Sequence, residues 1–201
     1  MGEGRRRVGF GVGYRDLLLS GSTFGMEVGP TGVRVTSDLG QALLINASTG
    51  VATVQPSPFY AAGDLHVGQT PRIDALAFNP ATGTWVAADS LANSFATFSP
   101  GTGALNTIGH PGLDLSRNNG LDFSSISGIL YLAAPADSAD VQWSLYTVNP
   151  LTGAAALVGL IGEVGDNIII NGLTVGTVPE PSSLVLLALG GAVVAVYRRK
   201  K

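Results

Sequence analysis

Apolar and polar positions alternate along the chain in short runs that are separated by turn residues. Residues 25–36 are apolar at every second position on both sides of a Gly-Pro-Thr-Gly turn. Similar segments follow at residues 75–88 and 120–133. Alternation with a period of two indicates strands, and a turn between two such runs indicates a hairpin.

A second type of segment lies between the copies of the first. It occupies residues 43–54, 95–109 and 145–159, and its turn commonly reads Asn/Ser-Pro-x-Thr-Gly. Proline sets φ for entry into a turn, and glycine supplies a positive φ at its exit. We therefore expect these segments to be hairpins as well.

Two successive hairpins form a four-stranded unit that repeats about every 50 residues, which is near the length of a β-propeller blade. The sequence predicts an all-β fold, a partial β-propeller-like repeat of about three four-stranded blades over residues 20–176. Residues 171–175 match residues 119–123 and predict the opening strand of a fourth unit or a strand that completes another blade. Closed propellers need at least four blades, so a twisted β-sandwich of six hairpins is the alternative. The repeat resembles secreted bacterial propeller proteins that carry this turn.

The pattern changes at residues 177–201, where Val178, Pro179, Glu180 and Pro181 precede an uncharged apolar run. The run consists of Leu184, Val185, Leu186, Leu187, Ala188, Leu189, Gly190, Gly191, Ala192, Val193, Val194, Ala195, Val196 and Tyr197. It ends at a basic cluster of Arg198, Arg199, Lys200 and Lys201. With its flanking residues the run approaches the lower limit of about 17 residues for a spanning helix. We predict a single C-terminal transmembrane helix whose basic end stays on the cytoplasmic side.

The order of these three parts resembles the PEP-CTERM sorting signal of Gram-negative bacteria. The resemblance implies that Pro179, Glu180 and Pro181 form a recognition motif for an exosortase-type membrane protease. It further implies insertion in the cytoplasmic membrane before processing, cleavage near the motif, and delivery to the cell envelope or the outside, often among exopolysaccharide. A permanent tail anchor remains a second interpretation of the same residues.

Such proteins begin with a secretory signal peptide, and the first 19 residues depart from that pattern. Three arginines, Arg5 to Arg7, resemble a basic n-region, but Arg15 and Asp16 interrupt the apolar stretch that should follow. Two interpretations stay open: a wrong start or truncated gene, or a protein that is not exported. We favour the first and treat residues 1–19 as a mis-started or disordered segment.

The composition of the chain excludes several classes of partner and of chemical site. The formal net charge of −3 gives no basic surface for nucleic acid. The chain has no cysteine, which excludes disulfides and thiolate chemistry, and its histidines, His66 and His110, lack the spacing of a local zinc motif. We therefore expect no metal and no cofactor.

Few residues are candidates for chemistry. Asp74 and Asp122 lie at or near first-type strands and either line a central channel, where ligands bind, or bind turn and strand backbone. Asp64 and His66 are two residues apart in a loop, where they form an acid–base or metal site or, as we favour, remain solvated. Two further pairs are weaker candidates: Asp137 with Asp140, which lack the spacing of a calcium loop, and Trp85 with Trp143, which serve as packing residues or as sugar-stacking faces.

We expect no catalytic residues and a non-enzymatic interaction module. The rivals are a propeller-type enzyme, either a lyase or a glycan hydrolase, and a binding module whose tail is never cut.

Overall fold

The computed structural model describes residues 17–136, 142–163, 166 and 168–176, and within these ranges every regular element is a strand. The first sheet consists of β1 (Phe24–Gly29), β2 (Gly32–Ser37), β3 (Ala42–Ile45) and β4 (Ala52–Val54), in that order. The second sheet has the spatial order β5-β9-β8-β7-β6 and comprises β5 (Phe59–Tyr60), β6 (Ile73–Asn79), β7 (Thr84–Asp89), β8 (Ser94–Ser99) and β9 (Ala104–Gly109). The third sheet consists of β10 (Gly120–Phe123), β11 (Leu130–Pro135), β12 (Trp143–Val148) and β13 (Ala155–Ile161).

The repeated glycines close one kind of turn. In each of five turns, the glycine N–H donates a 2.8 Å hydrogen bond to the carbonyl oxygen four residues earlier, and the turns are Asn46–Gly50, Asn79–Gly83, Ser99–Gly103, Ser124–Gly128 and Asn149–Gly153. The φ angles of these glycines lie between 69° and 83°, a region that glycine adopts without steric cost. The predicted hairpins and their turn chemistry are confirmed.

The three sheets form a consecutive series in which the second lies between the other two. Strand β6 contacts both β1 and β10, so the first long strand of each sheet lies on the inside. The last strands, β4 and β13, are largely exposed. Three consecutive sheets with inner first strands, of which the first and third have largely exposed last strands, make a propeller-like body rather than two sheets stacked as a sandwich.

An apolar cluster joins the second and third sheets. The second sheet contributes Ala75, Ala77, Val86, Ala88 and Phe95, and the third contributes Leu121, Phe123, Leu130, Leu132, Ala134, Tyr146 and Val148. On the other side of the second sheet, the indole of Trp85 occupies the space that a side chain at Gly29 of the first sheet would fill. Small residues thus let neighbouring sheets approach closely.

The structure differs from the sequence-based prediction at β5 and at residues 171–175. Strand β5 was not predicted; it pairs in parallel with β9 and gives the second sheet a fifth strand. Residues 171–175 were predicted as a strand, but they have no ladder pairing; the segment lies close to Gly120 of β10, and the Val175 N–H donates to Asp122 Oδ2. The predicted C-terminal helix and the N-terminal residues 1–16 lie outside the described residues. Over the described ranges, the structure contains no helix suited to cross a membrane.

Candidate functional site

The sorting residues and the body differ in what the structure describes. Val178 to Pro181, the apolar run and the basic cluster all lie outside the described residues, as do Asp137 and Asp140. Candidate chemistry within the described body therefore centres on the inner strands of the three sheets.

A cleft of about 890 Å³ opens beside these inner strands. The first sheet and β6 supply an apolar wall made of Phe24, Met26, Val35, Leu43, Ile45 and Leu76. Residues 171–174 add to the lining, and Leu17 and Leu19 reach it from the start of the described chain. Concave sites with apolar walls and a few polar groups are typical of small-molecule binding.

Asp74 and Asn119 are the polar side chains that the inner strands bring to this cleft. They are 3% and 2% exposed. Ser90 Oγ donates to Asp74 Oδ2 at 2.5 Å, whereas Asn119 Nδ2 donates a longer bond of 3.3 Å to Asp74 Oδ1. Asn119 Nδ2 also donates to the Ser116 carbonyl oxygen at 2.8 Å. Asn119 Oδ1 is buried and has no hydrogen-bond partner among the described residues.

Burial raises the pKa of Asp74 from 3.8 to about 7, against the opposing hydrogen bonds from Ser90 and Asn119. The charge that perturbs this carboxyl is a second carboxylate, Asp89, which raises its pKa further. A buried carboxyl without a cationic neighbour keeps its proton to higher pH because the charged form is poorly solvated.

We expect the stability of the protein to fall as the pH is raised from about 4 through about 7, in part because of Asp74. The folded state binds the Asp74 proton more tightly than the unfolded state does. The stability that this carboxyl contributes is therefore complete below its pKa in the unfolded chain and is lost as the pH rises through its pKa in the folded chain. Asp74→Asn should reduce the loss of unfolding free energy between pH 5 and pH 8 by about 1.4 kcal/mol or more, which corresponds to a shift of one pKa unit. Urea unfolding of the full chain at both pH values measures the change.

The exposed Asp114 supplies the matched control. Asp114→Asn should leave the pH dependence of the urea midpoint as it is in the unaltered chain. Equal pH dependence in Asp74→Asn and in the unaltered chain would contradict the assignment to Asp74.

A second carboxyl pair joins the first and third sheets. Burial, together with the charge of Asp122 of β10, raises the pKa of Glu27 of β1 from 4.5 to about 7. The Val28 N–H donates to Glu27 Oε1 at 2.6 Å. The Val175 N–H donates to Asp122 Oδ2 at 2.6 Å and so holds the segment after the third sheet. Asp122 thus binds the backbone of a segment that lies 53 residues further along the chain.

Glu27 was missed at the level of the sequence. It is the first-sheet counterpart of Asp122 in the repeat, since Met26 and Leu121 precede them in equivalent strands. Alignment of the repeats was the available indication, but the copy in the second sheet has Ala77 at this position, which hides the correspondence.

Asp64 and His66 are not a solvated pair, so the favoured interpretation is wrong for these side chains. Asp64 accepts hydrogen bonds from the Thr107 N–H and from Thr107 Oγ1, the latter at 2.8 Å, and thereby fixes the loop to β9. The ring of His66 is 9% exposed and packs between Tyr60 and His110, with centroid distances of 5.2 and 6.0 Å.

The two tryptophans are packing residues. Trp85 is 8% exposed and Trp143 is 1% exposed, so neither presents a face on which a sugar ring can stack. In the part of the chain that the structure describes, no three His, Asp or Glu side chains are grouped as ligands for a metal ion.

Comparison with solved structures gives matches of low similarity. A nidogen/laminin complex matches at 16% identity with a TM-score of 0.48, over 75% of this chain and 51% of that one. The PQQ-bound aldose sugar dehydrogenase from Streptomyces coelicolor matches at 15% identity with a TM-score of 0.47, over 73% of this chain and 48% of that one. The chain spans about half the length of these structures.

Comparison with curated proteins gives no match. Two family models do match. The PEP-CTERM protein-sorting motif covers residues 177–201, which confirms the predicted sorting signal and marks the chain as an exported substrate of exosortase, a membrane protein. The model described as a domain of unknown function, DUF4394, covers residues 12–173. The chain therefore belongs to the DUF4394 family and carries a PEP-CTERM sorting motif after its propeller-like body.

Proposed function

We propose that this chain is a non-enzymatic binding module that acts in the bacterial cell envelope or extracellular matrix after its sorting tail has been removed. The match of residues 177–201 to the sorting motif is the observation that carries the envelope location. The cleft supports a role in binding, because its wall is apolar and its buried polar groups lie at the inner strands.

A glycan hydrolase is the enzymatic alternative that a specific observation favours. Glu27 and Asp122 form a carboxyl pair in which one member holds its proton near neutral pH, as a general acid must. However, the two carboxyls of most glycosidases are separated by about 5–9.5 Å so that a sugar ring or a water fits between them. Glu27 and Asp122 each instead accept a 2.6 Å hydrogen bond from a backbone N–H, that of Val28 and that of Val175, which favours a structural role.

The location and the mass of the native protein test the proposal. We expect fractionation of the host to recover the body outside the cytoplasmic membrane. Mass spectrometry of its C-terminal peptide should show that the chain ends near Pro181. Glu180→Ala should prevent cleavage and retain the chain in the membrane, because the altered residue belongs to the recognition motif.

Glu163→Ala is the matched control, since Glu163 is an exposed carboxyl of the body outside the motif. This variant should be processed as the unaltered chain is. An unaltered chain that keeps Lys201 and remains in the cytoplasmic membrane would instead make the tail a permanent anchor.

A further inference from the structure

The polar end of the cleft contains more hydrogen-bond acceptors than donors. Asn119 Oδ1 is buried and accepts no hydrogen bond within the described chain. Asp74 Oδ1 accepts a long 3.3 Å bond from Asn119 Nδ2. Burying an acceptor without a partner is unfavourable, so a donor that reaches this end of the cleft recovers free energy.

The negative charge around Asp74 favours a cationic donor over a neutral or anionic one. Asp74 is perturbed by a further carboxylate, Asp89, and the ionised form of Asp74 is the poorly solvated one. A cationic donor stabilises that form both as a charge and as a hydrogen-bond partner. An anionic head group would meet the ionised Asp74 and would be repelled.

The remaining wall selects the body of the ligand. Phe24, Val35, Leu43, Ile45 and Leu76 bring apolar surface around a volume of about 890 Å³, which lies within the usual range for small-molecule sites. A compact hydrocarbon body covers this surface and gains about 25 cal/mol for each Å² removed from water.

We propose that the cleft binds a small apolar molecule with a primary ammonium head group, and that the head group binds at Asp74 and Asn119 while the hydrocarbon body contacts the first sheet and Leu76. This inference rests on the proposed role as a binding module and names the class of its ligand. Nothing in it depends on whether the sorting tail is cut.

Three probes that share one hydrocarbon cage provide the test: 1-aminoadamantane, 1-adamantanol and adamantane-1-carboxylate. Titration calorimetry at pH 8 with the purified full chain should show at least about tenfold tighter binding of the amine than of the carboxylate. Tenfold corresponds to about 1.4 kcal/mol, the lower range for a charge-assisted hydrogen bond. Partitioning of each probe into the solubilising detergent is measured without protein and subtracted, and it is the same for every variant.

Asp74→Asn should weaken binding of the amine by about tenfold or more and change binding of the alcohol by less than about twofold. Asp114→Asn, which alters an exposed carboxyl outside the cleft, should change neither. Binding of the alcohol by Asp74→Asn also establishes that the variant is folded. Equal affinities for all three probes, no binding of any probe, or unchanged amine affinity in Asp74→Asn would overturn the inference.

Met26→Arg is a second variant that decides the question even where Asp74→Asn fails to fold. Met26 lines the cleft but is 67% exposed, so its replacement removes little packing. A cation at this position should weaken the binding of 1-aminoadamantane and strengthen the binding of adamantane-1-carboxylate. Tighter binding of the amine and weaker binding of the carboxylate in this variant would contradict the proposal. Normal cleavage and export of the variant in the host would show that the proposed location does not depend on the cleft.

Discussion

Replacing Phe95 with alanine is expected to destabilise the body by about 3–5 kcal/mol, the usual range for removing a buried phenylalanine. Phe95 lies on β8, is 0% exposed and belongs to the apolar cluster that joins the second and third sheets. Its removal leaves a cavity where two sheets meet, rather than at the edge of one sheet. Because the free energy of unfolding of whole domains is only about 5–15 kcal/mol, this single change removes a large fraction of it.

Phe59→Ala supplies the matched control. Phe59 lies on the two-residue strand β5 and is 49% exposed, so we expect its loss to cost about 1 kcal/mol or less. Urea unfolding of both variants, followed by tryptophan fluorescence, measures the two changes. Similar midpoints for Phe95→Ala and Phe59→Ala would mean that the cluster between the sheets does not support the fold as described.

Replacing Gly153 with alanine is expected to cost more than the same change at Gly50, although both glycines close the same turn of the repeat. Their φ angles are 75° and 71°, so both substitutions carry the cost of a left-handed alanine, about 1–2 kcal/mol. A Cβ at Gly153 would lie 2.6 Å from the Gly109 carbonyl oxygen, whereas a Cβ at Gly50 would meet nothing within 4 Å. The difference isolates the contact between the second and third sheets.

We expect the unfolding free energy of Gly153→Ala to lie at least about 1 kcal/mol below that of Gly50→Ala, since backbone has to move to accept the methyl group. Thermal or urea unfolding of the two variants gives this difference directly. Because the local strain is common to both, equal stabilities would show that the approach of Gly153 to Gly109 is not a tight contact in solution.

The turns show how much of this fold is local. Each consists of five consecutive residues whose hydrogen bond closes within the turn, as between Asn149 and Gly153. Proline and glycine restrict φ at single positions, so they have the same effect wherever the segment lies in the molecule. The six hairpins and every described strand except β5 therefore followed from the sequence, as did the sorting motif, whose residues are consecutive in the chain.

The candidate site is not local in this sense. Asp74 and Asn119 are 45 residues apart in the chain and meet because β6 and β10 lie side by side. Glu27 and Asp122 come from the first and third sheets. No alternation within one strand tells which face packs on which neighbour, so these pairs could not be derived from the pattern.

The same reason explains the two errors in the described body. Asp64 looked solvated because its partner, Thr107, is 43 residues away on another strand. Residues 171–175 repeat the pattern of β10, but a strand needs a neighbour with free backbone groups, and Asp122 supplies a side chain in place of that ladder. The sequence by itself determined the turns, the strand units and the sorting tail, because each depends on residues that are close in the chain. The tertiary structure decided the packing of the sheets, the buried carboxyls and the cleft, because burial and long-range contacts exist only once separate strands meet.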